Sequence, residues 1–376
     1  MFDTQVIILA GGLGTRLYPL SVERPKALLP VCNVSLLARL LAQLHAAGFR
    51  CADVTLPAMP QHTRKLALAS APRGFDLVIA DAARPFGGQV PAVRALLAAE
   101  AAAVLVIYGD SLLSLDFGAL MNSHAASRAH GALATIVWHR PADLKLAESD
   151  GRTYHGVMSV NQQGRVTRFE EKPLVEHITD GFDMANAAVF ICERALLGQV
   201  DFRGAKNFSY DLFEPAVKEN RAALFGFGIG AGFRYDLGSV ARYFDANLQV
   251  LRGDLAGPIP GTKQSSGFWI GDQTAWEEAQ ITPPVLLGSG VYLGREARIG
   301  PDVVIGDGCR IGAGATIRQA VLMENCRIGA GARLDTCVLG PFAQVGQGVS
   351  LSPRAVLGAF CVVGLDDWPN WAEVVR

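Results

Sequence analysis

The sequence predicts two domains of unlike architecture: an α/β domain built on a mostly parallel sheet, then a parallel β-helix. Three observations carry this. From Gln5 to about Asn247, short β-rich runs alternate with helical ones. Beyond Pro284 an aliphatic residue recurs every six positions. Between them, from Leu251 to Pro284, Gly, Pro and Ser gather as they do in a linker. The expected division is therefore 1–250, a linker over 251–283, a β-helix over 284–364, and a tail over 365–376.

In the first half, Val6–Ala10, Val104–Tyr108 and Ala134–Trp138 read as buried strands, and Leu36–Ala47 and Val90–Ala103 as helices. Strands alternating with helices imply βαβ units and a sheet covered on both faces. Ligands of such sheets bind at the carboxyl ends of the strands, so the loops after strands are where chemistry is expected.

In the second half, Leu287, Leu293, Ile299, Ile305, Ile311 and Ile317 fall six apart, and the series continues to Val363 with two five-residue steps, Ile317 to Leu322 and Leu334 to Leu339. Two residues before each stands Val, Ala or Cys. A fixed six-residue period marks a parallel β-helix. The aliphatic residue and the small one share the inward face because strand side chains alternate. Cys309, Cys326, Cys337 and Cys361 take the small slot, so packing accounts for them.

Composition narrows the function. Of 376 residues, 34 are Lys or Arg and 35 Asp or Glu, a net charge of −1 that offers no overall attraction for nucleic acid. Half the residues are hydrophobic and 18% charged, which suits a large core. Seven scattered cysteines without a C-x-x-C pair argue for free thiols in a reducing compartment; Cys32, Cys51 and Cys192 are expected to be buried. The apolar runs fall short of the roughly 20 residues of a membrane span. Met1-Phe-Asp-Thr-Gln lacks a basic region, and Val6–Ala10 is too short for a signal peptide. The expectation is a cytoplasmic protein.

The most informative segment follows the first strand: Leu9-Ala-Gly-Gly-Leu-Gly-Thr-Arg-Leu-Tyr-Pro-Leu-Ser-Val-Glu-Arg-Pro-Lys-Ala-Leu-Leu-Pro-Val31. Its glycines let backbone pass close to a ligand and turn N–H groups toward phosphate oxygens. Arg16 and Lys26 add two positive charges, as a triphosphate requires. Neither a Walker loop nor a Rossmann fingerprint is present, since the final Lys-Ser/Thr and the third spaced Gly are missing. A Gly-Gly-x-Gly run alone is as often a plain turn; Thr15-Arg16, Pro19-Leu20 and Pro25-Lys26 set this one apart. Tyr108-Gly109-Asp110-Ser111 places a carboxylate after an apolar strand, where it either caps a turn or coordinates Mg²⁺ beside a phosphate. Phe169-Glu170-Glu171-Lys172-Pro173 reads, as a bare charge run, as a solvated turn.

Together these segments resemble the sugar-1-phosphate nucleotidyltransferases, also called NDP-sugar pyrophosphorylases. The layout is most similar to the mannose-1-phosphate guanylyltransferase branch, which carries a C-terminal left-handed β-helix, so the resemblance spans nearly the whole chain. It implies a Rossmann-like nucleotidyltransferase domain followed by a left-handed parallel β-helix of hexapeptide repeats. It also implies transfer of a nucleotidyl group from an NTP, expected to be GTP, to mannose 1-phosphate or a related heptose or pseudo-sugar phosphate. The implied nucleotide contacts are Leu9, Gly11, Gly12 and Gly87, with Arg16 and Lys26 on phosphates. Asp110 would bind Mg²⁺ together with Asp236 of Arg234-Tyr-Asp-Leu-Gly-Ser239, which matches the Trp-x-Asp-x-Gly-Thr motif. Gly156, Glu171, Lys172 and Asn186 would form the sugar-phosphate site.

The chain departs from this family in the loop expected to close over the base. It reads Pro85-Phe-Gly-Gly-Gln-Val-Pro91 where Pro-Leu-Gly-Thr-Ala-Gly-Ala is usual, and base identity does not carry across. Ala188 replaces Gly and Arg234 replaces the aromatic. Two further readings stay open. One is a non-catalytic regulatory paralogue. The other is a hexapeptide acyltransferase, which relies on a His base; all seven His, at 45, 62, 124, 130, 139, 155 and 177, precede the repeats. A homo-oligomer formed through the β-helix is the expected assembly. Trp368 and Trp371 are expected to anchor the tail.

Overall fold

A computed structural model describes residues 3–81, 86–199, 203–265, 267–276 and 278–364. Pro85 of the altered loop and Trp368 and Trp371 of the tail lie outside these residues. Two compact units are present, neither continuous in sequence: Met1–Gly12 with Leu40–Tyr235, and Leu13–Arg39 with Asp236–Arg376.

The first unit is an α/β sheet. Thr4–Leu9 lies between Ala103–Tyr108 and Cys51–Leu56, with Asp76–Asp81 beyond, and all these pairings are parallel. On the other side Met184–Glu193 runs antiparallel to Ala103–Tyr108 and to Ala134–His139 and Gly156–Val160. Val166–Glu171 then pairs antiparallel with Gly156–Val160, and Leu224–Gly228 joins Ala134–His139 in parallel. The parallel strands are near-continuous apolar runs because both faces are covered: Val104, Leu105, Val106 and Ile107 are fully buried. Leu9 and Tyr108 end side by side, so the loops after both strands leave from one sheet edge.

The expected helix over Val90–Ala103 is shorter, Gln89–Leu96. Its Ala-rich continuation favours helix, but tertiary hydrogen bonds override propensity. Ala98 N donates to Gln5 Oε1 at 2.7 Å, Arg194 Nε donates to Ala101 O at 2.7 Å, and Ala103 must pair with Thr4. Among the described residues no helix is long and apolar enough to cross a membrane.

The second unit contains the β-helix. Val285 pairs with Val303, eighteen residues on, whereas Val303 pairs with Ala320, seventeen on. The coil is thus three hexapeptides, and each five-residue step shortens it by one. Those steps fuse two short strands into one of seven residues, Thr316–Leu322 and Arg333–Leu339, cornered at Gln319 (φ 44°) and Thr336 (φ 51°). The inward column from Val285 to Val345 is a single apolar core.

Three expectations need correction here. The first coil begins inside the supposed linker, where Phe268–Ile270 pairs in parallel with Val285–Leu287, and Gln280–Ile281 with Arg298–Ile299. Its Phe268 and Trp276 do not keep the small-aliphatic alternation, which hid it. Cys361 is exposed, unlike Cys309, Cys326 and Cys337, because among the described residues it belongs to the last coil and nothing stacks beyond it. Cys51 is exposed as well, at the start of its strand, while Cys32 and Cys192 are buried as expected.

Leu286, Val304, Val321 and Val338 point outward from the β-helix yet are at most 2% exposed. The helix Val240–Arg252 lies against the strands Val303–Ile305 and Thr316–Leu322. Arg252 Nε and Nη2 clasp the Asp302 carboxylate at 2.8 and 2.7 Å.

Candidate active site

In the second unit, two single-turn 3₁₀ helices present the expected cations. Thr15–Leu17 carries Arg16, which is exposed while Leu17 beside it is buried. Ser21 Oγ donates to Gly14 O at 2.7 Å and holds the turn closed. Lys26–Leu28 carries Lys26; Ala27, Leu28 and Leu29 are buried and fix its backbone. The Lys26 ammonium reaches Asp236 Oδ1 at 3.2 Å, with side-chain exposures of 10% and 28%.

Gly238 completes this group. A Cβ there would stand 2.5 Å from Asp236 Oδ2 and 3.4 Å from Arg16 Nη2, so any side chain at this position would require the carboxylate to shift. Three expected residues, Arg16, Lys26 and Asp236, therefore converge. Arg16 and Lys26 place two cations here, which suits a polyphosphate.

In the first unit, Leu9 is half-buried at its strand end, and Gly11 and Gly12 are exposed beyond it. Tyr108 Oη donates to Gln89 Oε1 at 2.6 Å. Burial pushes its phenol far above the usual range, and the charges of Glu171 and Asp110 push the same way. Asp110 is half-buried, with Ser111 Oγ 3.2 Å from Oδ1.

Gly87 is exposed, and the altered residues after it are structural. Val90 is fully buried in the core, its N–H donating to Lys206 O at 3.1 Å. Pro91 sits in the first turn of the Gln89–Leu96 helix, where no intrahelical N–H bond is lost. Val90 does not face solvent as a base-reading residue would, and Pro91 is half-buried.

Gly156 opposes Glu171 in register, and a Cβ at Gly156 would collide with Glu171 Oε2. Burial holds the Glu171 carboxyl above the usual carboxylate range, against the opposing effect of a Ser209 hydrogen bond and of Lys172 and Arg234. Asn186 Nδ2 lies 3.4 Å from Ser209 Oγ, so Asn186, Ser209 and Glu171 form one chain. Asn186 Oδ1 accepts from Ala188 N at 2.9 Å. Ala188 has φ 57°, which accounts for the glycine usual at this position; alanine costs about 1 kcal/mol there.

Lys172 is paired with Glu148, Nζ to Oε1 2.8 Å, and this hydrogen bond raises its pKa. Arg234 contributes charge toward Glu171 and Tyr108, while its buried Nε finds no hydrogen-bond partner among the described residues. His139 is equally unpartnered at Nε2, and burial, then the charges of Arg234 and His155, lower its pKa to about 3.

Residues 5–253, two thirds of the chain, match the nucleotidyl transferase family. The chain belongs to that family. Residues 281–366 match the GMPPB C-terminal domain. The chain is similar to a mannose-1-phosphate guanylyltransferase of Mycobacterium tuberculosis, 25% identical over 295 residues, 78% of this chain and 76% of that protein. It is also similar to a UTP–glucose-1-phosphate uridylyltransferase of Synechocystis, 25% identical over 299 residues (76% and 74%). A glucose-1-phosphate adenylyltransferase of Nitrosospira multiformis is 27% identical over 238 residues, 59% of this chain and 51% of that protein.

Within this nucleotidyl transferase, sequence reasoning missed Ser209, Gln89, Glu148 and Glu214, whose Oε2 accepts from Glu171 N at 3.2 Å. Ser209, Glu148 and Glu214 come from segments without a motif, and Gln89 sits in the altered loop without matching the usual residue. Among the described residues no cluster of three or more His, Cys, Asp or Glu could hold a metal ion. Mg²⁺ does not need one, since it takes one or two carboxylates with substrate phosphates and water. Asp110 in the first unit and Asp236 in the second are each half-buried and each offer hard oxygens of that kind.

Proposed function

We propose that this nucleotidyl transferase joins an NTP to a sugar 1-phosphate, giving an NDP-sugar and pyrophosphate, with GTP and mannose 1-phosphate or a related heptose or pseudo-sugar phosphate as substrates. The observation that carries it is the convergence of Arg16, Lys26 and Asp236 around the space left by Gly238. A phosphate oxygen of the sugar attacks the α-phosphorus in line, and the bond to the β-phosphate breaks as pyrophosphate leaves.

The reaction brings several negative charges together, so the protein supplies cations and alignment, not a nucleophile. Arg16 and Lys26 clamp the triphosphate, and Gly11 and Gly12 lie open to it. Lys172, oriented by Glu148, meets the sugar phosphate, while Glu171 and Asn186 take sugar hydroxyls. Mg²⁺, with Asp110 and Asp236 as its proposed protein ligands, would neutralise phosphate charge when bound.

A regulatory paralogue is disfavoured because the cations and carboxylates are all present and Val90 is in the core. Assembly into a homo-oligomer is part of the proposal; Phe342 and Phe360, 41% and 60% exposed, stack on each other at 5.0 Å on the β-helix surface. A cytoplasmic location is proposed too. The test is pyrophosphate release with Mg²⁺ over four NTPs and a panel of sugar 1-phosphates. Silence throughout, from folded protein, would overturn the reading.

A further inference from the structure

The segment that carries Arg16 and Lys26 is held by the β-helix. Leu13–Arg39 belongs to the unit of the repeats and not to that of the sheet. The Arg24 guanidinium forks onto the Glu324 carboxylate, Nη1 to Oε2 at 3.3 Å and Nη2 to Oε1 closer still. The two side chains are 13% and 27% exposed, so this is no loose surface pair. Asn33 Nδ2 donates to Ile305 O at 2.9 Å. Gly358, in the last described coils, approaches so near that a Cβ would lie 3.1 Å from Pro19 Cβ.

The remaining ties are indirect. Tyr243 Oη donates to Pro30 O at 2.6 Å and Cys32 N to Asn247 Oδ1 at 2.8 Å, from the helix that Arg252 fastens to Asp302.

We infer that Glu324, acting through Arg24, is a positioning residue for the phosphate clamp, so that the β-helix takes part in catalysis as well as assembly. This rests on the proposed function. Arg24 stands two residues before Lys26, and Pro25 between them, with its ring-fixed φ, gives the link little slack. A shift of the guanidinium therefore carries to the Lys26 ammonium and its contact with Asp236. On the other side of Arg24, Pro19 against Gly358 limits the turn that carries Arg16. Misplacing a clamp by about 1 Å costs on the order of 10²-fold in rate.

The experiment is steady-state pyrophosphate release by the full chain carrying Glu324→Ala, Glu324→Gln, Arg24→Glu, or the swap Arg24→Glu with Glu324→Arg, alongside NTP affinity by calorimetry. The single variants are expected to lose about 10- to 100-fold in kcat. KM for the sugar phosphate should stay within about twofold, because its proposed contacts lie in the other unit. The swap should recover most of the loss, which a merely structural tether has no reason to show in kcat. Asp335→Asn, which breaks the exposed Arg318 pair elsewhere on the β-helix, should leave turnover unchanged.

If Glu324→Ala fails to fold, Glu324→Gln keeps the shape and tests the charge. Unchanged kcat in folded single variants, or equal losses in singles and swap, would overturn the inference. Wild-type protein inactive with every substrate pair would instead defeat the proposed function. NTP affinity would then decide the positioning role, weakened in the singles and restored in the swap, or unchanged and the role refuted.

Discussion

Gly156 and Glu171 face each other across two antiparallel strands, and the carboxylate of Glu171 fills the volume that a side chain at Gly156 would need. The pairing explains a glycine within a strand, where it otherwise weakens the strand. Gly156→Ala should displace Glu171 from Ser209 and raise KM for the sugar phosphate or lower kcat/KM on the order of 10²-fold. KM for the NTP should hardly move. Kinetics with each substrate varied in turn check this, and equal losses for both substrates would point to a general folding defect.

Glu171 also makes a pH prediction. Its carboxyl is held above the ordinary range by burial, so the folded state binds its proton more tightly than the unfolded chain does. Stability from this group is full below the unfolded pKa, about 4.3, and is lost as pH rises through the higher folded value. Glu171→Gln removes that loss. The variant should melt higher than wild type near pH 8, with the gap closing as pH falls toward 4, while sugar-phosphate turnover drops. Melting curves across that range decide the matter; a gap that ignores pH would show that burial of the charge is not its source.

Lys26 is buried among Ala27, Leu28 and Leu29 and reaches Asp236, so its ammonium is placed before any substrate arrives. Lys26→Ala should cost on the order of 10²–10³ in kcat, as loss of one transition-state donor does. Near-wild-type pyrophosphate release in this variant would remove Lys26 from the clamp.

What the sequence made legible had local periodicity or a contiguous motif. The β-helix from Val285 on was readable because small and aliphatic residues repeat, and the coil lengths of eighteen and seventeen follow from the same count. The coil that opens at Phe268 was not, since Phe268 and Trp276 break the alternation. Arg16, Lys26 and Asp236 carried motif signals, yet the room that Gly238 leaves for the Asp236 carboxylate is a three-dimensional fact. Ser209 joins Asn186 to Glu171 from a distant helix and has no signature at all. Val90 misled in the other direction. As a bulky residue in a loop expected to read the base it suggested altered specificity, whereas burial makes it a core residue.

Exposure divides the cysteines in a way the repeat alone does not. Cys51 and Cys361 are exposed and the other five buried. Burial raises the thiol pKa of Cys32 and Cys337 to about 12, which keeps the reactive thiolate scarce. A thiol reagent on native protein should therefore label two sites per chain, identified by peptide mapping as Cys51 and Cys361. Rapid labelling of Cys337 would mean that the coils open readily.

Arg234 stands where the family has an aromatic residue, and its buried Nε is without a hydrogen-bond partner among the described residues. A buried donor left unmade is costly, on the order of 1–3 kcal/mol, so a substrate oxygen that accepts from it gains correspondingly. The Arg234 charge lowers the pKa of both Glu171 and Tyr108, which puts the donor near the proposed sugar-binding residues. Lysine cannot reproduce the planar fork. Arg234→Lys should raise KM for the sugar phosphate about tenfold, near 1.4 kcal/mol, with the NTP unaffected. Arg234→Trp, which restores the aromatic, should reorder the preference among sugar 1-phosphates. Comparing kcat/KM over the panel for both variants tests the role, and an unchanged order with unchanged KM would leave Arg234 as a structural residue only.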